Sequence, residues 1–306
     1  MIRDDKNKPI TTYITMRHFP ASQLIINADG SAFHLHIRPE HLADKVILVG
    51  DQDRVNMVAS FFDEGTIECD IQSREFHTIT GKYQGKRISC VSTGIGTDNI
   101  DIVLNELDAL ANIDFSTREE KAEHRSLEIV RIGTCGAMQE DIPLGSFLVS
   151  KKSIGFDGVL AFYEGRDSIA DLGFEKALTE FIHYPEKAAV PYVVPADEEL
   201  VKRIAGDDML LGCTIAANGF YGPQGRVLRC NIAVPDINER ISAFRYEGQR
   251  ITNYEMEGSA IAGLSLLMGH RAMTVCCVIA QRKAEAANTD YKPRIKQLVQ
   301  TVLERI

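Results

Sequence analysis

The chain is short of positive charge, of paired cysteines and of long apolar runs, and each shortage excludes a class of function. Its 34 Lys and Arg are outnumbered by 43 Asp and Glu, for a formal charge of −9. A field of that sign opposes nucleic acid and anionic membrane surfaces as partners. The seven cysteines (Cys69, Cys90, Cys135, Cys213, Cys230, Cys276, Cys277) are odd in number and include no Cys-x-x-Cys pair. That usage fits reduced thiols in a cytosol better than a disulfide framework or a zinc site. No apolar stretch approaches the length of a membrane helix, and Met1-Ile2-Arg3-Asp4-Asp5-Lys6 carries no signal core, so a cytoplasmic location is expected. No repeat, low-complexity tract or long linker divides the 306 residues. One domain over residues 31–306, preceded by an extended arm over residues 1–30, is expected.

What is present is organised around Glu128-Ile129-Val130-Arg131-Ile132-Gly133-Thr134-Cys135-Gly136-Ala137. Its opening is a β-branched run of the kind buried in a parallel sheet. The two glycines flanking Thr134 and Cys135 predict a sharp turn at its end. Arg131 interrupts the apolar run, and a guanidinium in a core strand needs an anionic partner or an exit to a cleft. With backbone N–H groups and a hydroxyl close behind it, phosphate is the simplest ligand. Taken alone, a strand-end Arg paired with an Asp or Glu of the same domain explains the segment as well.

Phe33-His34-Leu35-His36 alternates apolar residues with histidine and reads as a short surface strand. Lys45-Val46-Ile47-Leu48-Val49-Gly50 is a strand leading through Asp51-Gln52-Asp53 to Arg54 and a helix, a second possible anion site; an Asp cap with a surface Arg reads the same residues without a ligand. Residues 75–83 and 86–92 form a hairpin through Gln84-Gly85. Thr93-Gly94-Ile95-Gly96 then turns into a helix from about Asn99; the third glycine of a dinucleotide fingerprint is missing. Residues 112–125 are polar and read as a solvated helix end or an insertion. Further strands are expected at 145–154, 210–216 and 273–280, and helices at 174–181, 198–204, 235–246, 258–268 and from Pro293. Alternating strands and helices predict a single-domain three-layer α/β/α fold with a central mixed, mainly parallel sheet.

In such a sheet, ligands sit at the carboxyl ends of strands. Polar chemistry gathers at six predicted ends: Gly50/Arg54, Thr93-Gly94, Arg131/Thr134, Gln224/Arg226, Glu255-Met256-Glu257 and Arg282. Arginines and a threonine suit an anion, Glu257 suits sugar hydroxyls, and Gln224 with Arg226 suits the edge of a heterocycle.

Four segments, in this order, resemble the nucleoside phosphorylases, and among them the branch that acts on uridine: Gly50-Asp51-Gln52-Asp53-Arg54-Val55, Arg131-Ile132-Gly133-Thr134-Cys135-Gly136, Phe220-Tyr221-Gly222-Pro223-Gln224-Gly225-Arg226 and Asn253-Tyr254-Glu255-Met256-Glu257. The resemblance runs from Phe33 to the last helix. It implies that Gly50, Arg54, Arg131 and Thr134 hold phosphate and that Glu255, Met256 and Glu257 line the ribose. Gln224 and Arg226 would read the base, with Phe220 against it and Arg282 steadying the pair. It implies also that Arg74 (phosphate) and His34 (ribose 5′-hydroxyl) reach into a neighbouring copy's site, in a homodimer or a hexamer with shared sites. The implied substrates are phosphate and uridine, with deoxyuridine and thymidine as candidates. Arg226, Glu257 and Arg131 are the expected catalytic residues, and no cofactor or metal is implied.

The pattern is not matched throughout. Gln52 stands where the family has Pro, Thr97-Asp98-Asn99 where Gly-Pro-Ser is common after the glycine turn, and Cys135 where Thr or Ser is common. Purine-directed relatives, phosphorylase or nucleosidase, carry Ser-Asp after the last core strand, whose Asp can protonate purine N7. Here Ile279-Ala280-Gln281-Arg282 offers no acid, which favours a pyrimidine. A non-catalytic nucleoside-binding protein is the alternative of another class; it would be expected to have lost a phosphate Arg or Glu257, and neither is lost.

Overall fold

The computed structural model describes residues 17–284 and 286–306. Ten strands of four residues or more carry the sheet: β1 (Lys45–Val49), β2 (Cys69–Ser73), β3 (Phe76–Tyr83), β4 (Lys86–Ser92), β5 (Glu128–Ala137), β6 (Phe147–Gly155), β7 (Tyr192–Pro195), β8 (Met209–Ala216), β9 (Gln249–Glu255) and β10 (Arg271–Gln281). The helices that matter for the site are α1 (Gln52–Ala59), α2 (Thr97–Asn112), α3 (Leu172–Ile182), α4 (Glu198–Ile204), α5 (Ile237–Ala243), α6 (Gly258–Leu267) and α7 (Lys292–Arg305).

Alternation along the central strands decides which helix packs where. In β1, Ile47 and Val49 join Val130, Ile132, Val55, Leu200 and Leu298 in one cluster, covered by α1, α4 and α7. Their neighbours Val46 and Leu48 join Ile129, Leu104 and Ile261 on the opposite face, under α2 and α6. A buried two-sided strand with a helix layer on each face is the three-layer α/β/α arrangement the sequence predicts. A third cluster, with Phe174, Ile215, Ile241 and Tyr254, ties α3 and α5 to the far end of the sheet.

The sheet is mixed. β5 runs parallel to β1 and to β10, whereas β10–β6 and the β2–β3–β4 meander are antiparallel. The path β9–β8–β6–β10–β5 closes on itself, because β9 also pairs with β5 through Asn253↔Ala137 and Tyr254↔Gly136. On that same edge β1 pairs with β5 only as far as Ile132. Residues 133–135 are thus left without a strand neighbour on one side, between the end of β1 and the end of β9. The cleft described below lies at this gap.

Several expectations need correction. The turn predicted at Gly133-Thr134-Cys135-Gly136 is absent: β5 continues through it, and neither glycine has a positive φ. Gly133 is required for space, since a Cβ there would meet the Arg131 guanidinium, 2.8 Å from Cζ and 3.0 Å from Nη2. Phe33–Leu35 is a turn with a buried Leu35, and His36 adopts φ 58°. The helix expected over 235–246 ends at Ala243; Arg245-Tyr246 instead pairs antiparallel with Gln249-Arg250 through the left-handed Glu247 and Gly248. Strands β2 and β7 are not predicted by the sequence, and of β9 only the carboxyl end at Glu255 is. The polar stretch 112–125 holds a small hairpin, Ile113–Asp114 with Glu119–Glu120, against which His18 forms a bridge. Of the expected arm, residues 1–16 lie outside the described residues.

Candidate active site

A cleft of about 300 Å³ opens at the gap between β1 and β9. It is lined by Gly50, Arg54, Arg131, Thr134, Phe220, Gln224, Arg226, Glu255, Met256 and Glu257, ten of the residues singled out from the sequence. Asp51, Cys135 and Gly136, from the same motifs, also line it, as do Ile95, Tyr254, Ile279, Ala280 and Tyr291, to which the sequence assigned no role.

The deep end pairs two arginines with three carboxylates. Arg131 projects from β5 on the α2/α6 side and is 5% exposed. Its Nη2 meets the Glu257 carboxylate and its Nη1 lies 3.3 Å from Glu255 Oε2. Burial opposes the Arg131 charge, but the two carboxylates outweigh it and hold the guanidinium above its ordinary pKa. Glu255 ends β9, and its carboxylate accepts from the N–H groups of Glu257 and Gly258 at 2.9–3.0 Å. Those N–H groups begin α6, so an anion there is favoured by the helix dipole. Burial raises the Glu255 pKa to about 7, with Glu257 adding to it, despite Arg131 and the two N–H groups. Glu255 thus faces the cleft while its carboxylate is engaged in holding Arg131 and capping α6. Glu257 is fixed from the other side by the Gly96 N–H at 2.7 Å. Gly96 has φ 96°, which explains the glycine turn before α2: it aims a backbone donor at this carboxylate.

Arg54 lies beside this group. The Asp51 cap predicted as its alternative is present, with Asp51 Oδ1 accepting from the Arg54 N–H at 2.8 Å. The side chain is not on the surface, however: it is 9% exposed, pairs with Asp51 Oδ2 at 2.8 Å and points its Nη1 at the Ile132 carbonyl, 3.5 Å away.

The outer end is built by the loop after β8. Gln224 is 3% exposed, and two arginines clasp it. Arg226 Nη1 donates to Gln224 Oε1 at 2.6 Å and to the Phe220 carbonyl at 2.5 Å. Arg282 donates to Gln224 Oε1 at 2.9 Å and to its backbone carbonyl at 2.8 Å. Because both guanidinium groups only donate, Oε1 is fixed as their acceptor and the amide NH₂ is the group left for a ligand. Arg226 also lies over the Phe220 ring, 3.8 Å from its centroid. Burial, and then the neighbouring Arg226, lowers the Arg282 pKa to about 10. Among the described residues no carboxylate lines this end; those that line the cleft are Asp51, Glu255 and Glu257.

His34 and Arg74 do not line the cleft of their own chain. They lie together on either side of Phe33, with Arg74 Cζ 5.3 Å from its ring centroid and the His34 ring edge-on to it at 4.8 Å. The left-handed Arg74 (φ 57°) is tethered by Gln52, whose amide donates to its carbonyl at 3.0 Å. Another potential donor set, Asp108, His124 and His270, gathers outside the cleft within 4.8 Å. There His270 Nδ1 accepts from the Leu127 N–H at 3.2 Å, which leaves the proton on the Nε2 that faces Asp108. The two lie 3.2 Å apart without hydrogen-bond geometry, and Nε2 has no other partner among the described residues.

Residues 44–305 match the family model of the phosphorylase superfamily. The chain belongs to this family, the nucleoside phosphorylases. A uridine phosphorylase of Thermococcus kodakarensis is 30% identical over 262 residues, 83% of this chain and 79% of that protein. A DeoD-type purine nucleoside phosphorylase of Geobacillus stearothermophilus is 25% identical over 278 residues, 89% of this chain and 99% of that one. Among solved structures, a Trypanosoma brucei nucleoside phosphorylase described as showing uridine phosphorylase activity superposes with a TM-score of 0.83 at 29% identity, covering 92% of this chain and 99% of that chain. As a nucleoside phosphorylase, the protein is a pentosyltransferase. No described helix is long and apolar enough to cross a membrane.

Proposed function

We propose that this phosphorylase acts on uridine, converting it reversibly with phosphate to uracil and ribose 1-phosphate. The observation that carries the reading is the Gln224–Arg226–Arg282 clasp, at an end of the cleft where the described lining residues include no carboxylate. A purine leaving from N9 calls for a general acid at its N7; a pyrimidine leaving from N1, with the charge passing to its carbonyls, calls for cationic donors and an amide.

The reaction makes a bond from a phosphate oxygen to ribose C1′ as the C1′–N1 bond breaks, and its electron pair passes onto the pyrimidine. Phosphate would enter beside Gly50, Arg54 and Thr134, with Arg131 behind it. Glu257, already oriented by Gly96 and Arg131, would accept from the ribose hydroxyls and favour the positive character that develops at the sugar. Met256 supplies an apolar floor. Arg226 would stabilise the charge arriving on a uracil carbonyl, and the Gln224 NH₂ would fix the ring. Phosphate is thus a substrate, and the cycle needs no cofactor.

His34 and Arg74 are proposed to complete a neighbouring copy's cleft in a symmetric assembly, supported by their pairing around Phe33 outside their own. The purine-directed reading is favoured by the DeoD-type relatives. A panel of uridine, deoxyuridine, thymidine, inosine and adenosine, assayed with phosphate, separates the two. Uridine turnover well above inosine turnover is expected, and an inosine rate equal to the uridine rate contradicts the assignment.

A further inference from the structure

We infer that Glu106 is a positioning residue for the reaction, fixing His34 so that one defined nitrogen is presented to the ribose of a neighbouring copy. The inference rests on the uridine phosphorylase reading and its shared sites, and extends it to a residue that the site motifs do not contain. Glu106 lies on α2 next to the apolar stripe of Val103, Leu104 and Leu107, all fully buried. Its side chain is 14% exposed. Oε1 accepts from the His34 ring Nδ1 at 2.6 Å and from the His34 backbone N–H at 2.9 Å. Oε2 accepts from the His34 N–H at 3.1 Å and the Leu35 N–H at 2.8 Å.

A carboxylate only accepts, so Nδ1 must carry a proton and Nε2 is the end left free. Phe33 stands edge-on against the ring and limits its rotation. One carboxylate therefore holds both the backbone of the Phe33–Leu35 turn and the ring. This explains why a charged residue sits among the apolar positions of α2: the turn has no strand neighbour to take up its N–H groups. The same helix is preceded by Gly96, whose N–H holds Glu257 in the chain's own cleft. From Gly96 to Glu106 the rise is roughly 15 Å, so α2 spaces the carboxylate of one site from the histidine offered to another.

The test compares uridine with 5′-deoxyuridine, which lacks the hydroxyl His34 would meet, at saturating phosphate. In Glu106→Gln the new NH₂ faces N–H donors, so part of the hold on the turn or ring is lost. Glu106→Gln and His34→Ala should each lower kcat/KM for uridine about tenfold, the scale of one hydrogen bond, mainly through KM. Both should change 5′-deoxyuridine turnover less than about twofold, and the double variant should fall no further than the worse single one. Equal losses on both nucleosides in Glu106→Gln would mark a merely structural role and overturn the inference, as would undiminished uridine preference. Those results leave the parent reading standing. A wild-type enzyme that does not cleave uridine with phosphate overturns both.

Discussion

Substituting Gly133 by alanine probes how the cleft holds its central charge. The backbone at Gly133 is ordinary strand, so a methyl group brings no conformational penalty. It does meet the Arg131 guanidinium, with Cζ 2.8 Å and Nη2 3.0 Å from the new carbon. The group must shift, and a shift disturbs its pairing with Glu257 and Glu255. Breaking a buried ion pair costs about 3–5 kcal/mol, which for a chain of this length corresponds to a Tm lowered by roughly 5–10 °C. The loss should depend on pH. The Glu255 pKa is raised in the folded state, to about 7, so its neutral form favours folding at low pH and that contribution disappears as pH rises through the folded value. Without Arg131 nearby the pKa rises further. The gap in Tm between wild type and Gly133→Ala should therefore widen from pH 6 to pH 8.5. Differential scanning calorimetry across that range measures it, and phosphorolysis should fall by at least ~10²-fold, as when a preorganised donor is lost. Wild-type activity and a pH-independent Tm gap near zero would refute the placement of Arg131 over Gly133.

Arg226→Ala should lower kcat for uridine by about 10²-fold if Arg226 stabilises charge on the leaving base; a change below threefold would remove it from that role. Arg74→Ala and Arg131→Ala should each be nearly inactive alone, while their co-expression restores activity, because a mixed assembly contains a cleft with an intact Arg131 and an intact neighbouring Arg74. Mixed assemblies that form without regaining activity would contradict shared sites. Glu128, 8% exposed, pairs with Lys45 and Arg203 at 2.7 Å and with Arg271. Despite burial, hydrogen bonds from Arg203 and Lys45 depress its pKa from 4.5 to about 2. Its stabilisation is thus present above about pH 4.5 and lost as pH falls toward 2. Glu128→Gln should cost up to about 3 kcal/mol at pH 7, and the Tm difference should close in that acid window.

Much of the cleft was legible because its residues break local pattern: a guanidinium inside a β-branched strand, a Gln and an Arg in a glycine-rich loop, an Arg at the end of an apolar strand. The strands β1, β5 and β10 were legible from their β-branched composition. Only the end of β9 was legible, because its body buries polar residues. Thr252 and Asn253 are 2% and 0% exposed, and Asn253 Oδ1 accepts from the Thr252 and Thr214 hydroxyls at 2.7 and 2.9 Å, pairing that hydropathy cannot register. The glycines of β5 misled because glycine signals both conformational freedom and lack of bulk; only the position of the Arg131 guanidinium distinguishes them. Arg245-Tyr246 was overridden as helix by Glu247-Gly248, a turn signal that the helical periodicity masked. Closure of β9 onto β5, which leaves the gap at residues 133–135, depends on pairing between distant segments and has no local signature. Glu106 could have been noticed as a charge beside the buried stripe of α2, but its partner lies 72 residues away in sequence.

The central claim is that phosphate, not water, takes the ribose. Incubating the enzyme with uridine and inorganic phosphate while recording ³¹P NMR and uracil release measures this directly. The account predicts one ribose 1-phosphate formed for each uracil released, and no uracil without phosphate. Uracil released with free ribose and an unchanged phosphate signal would contradict it.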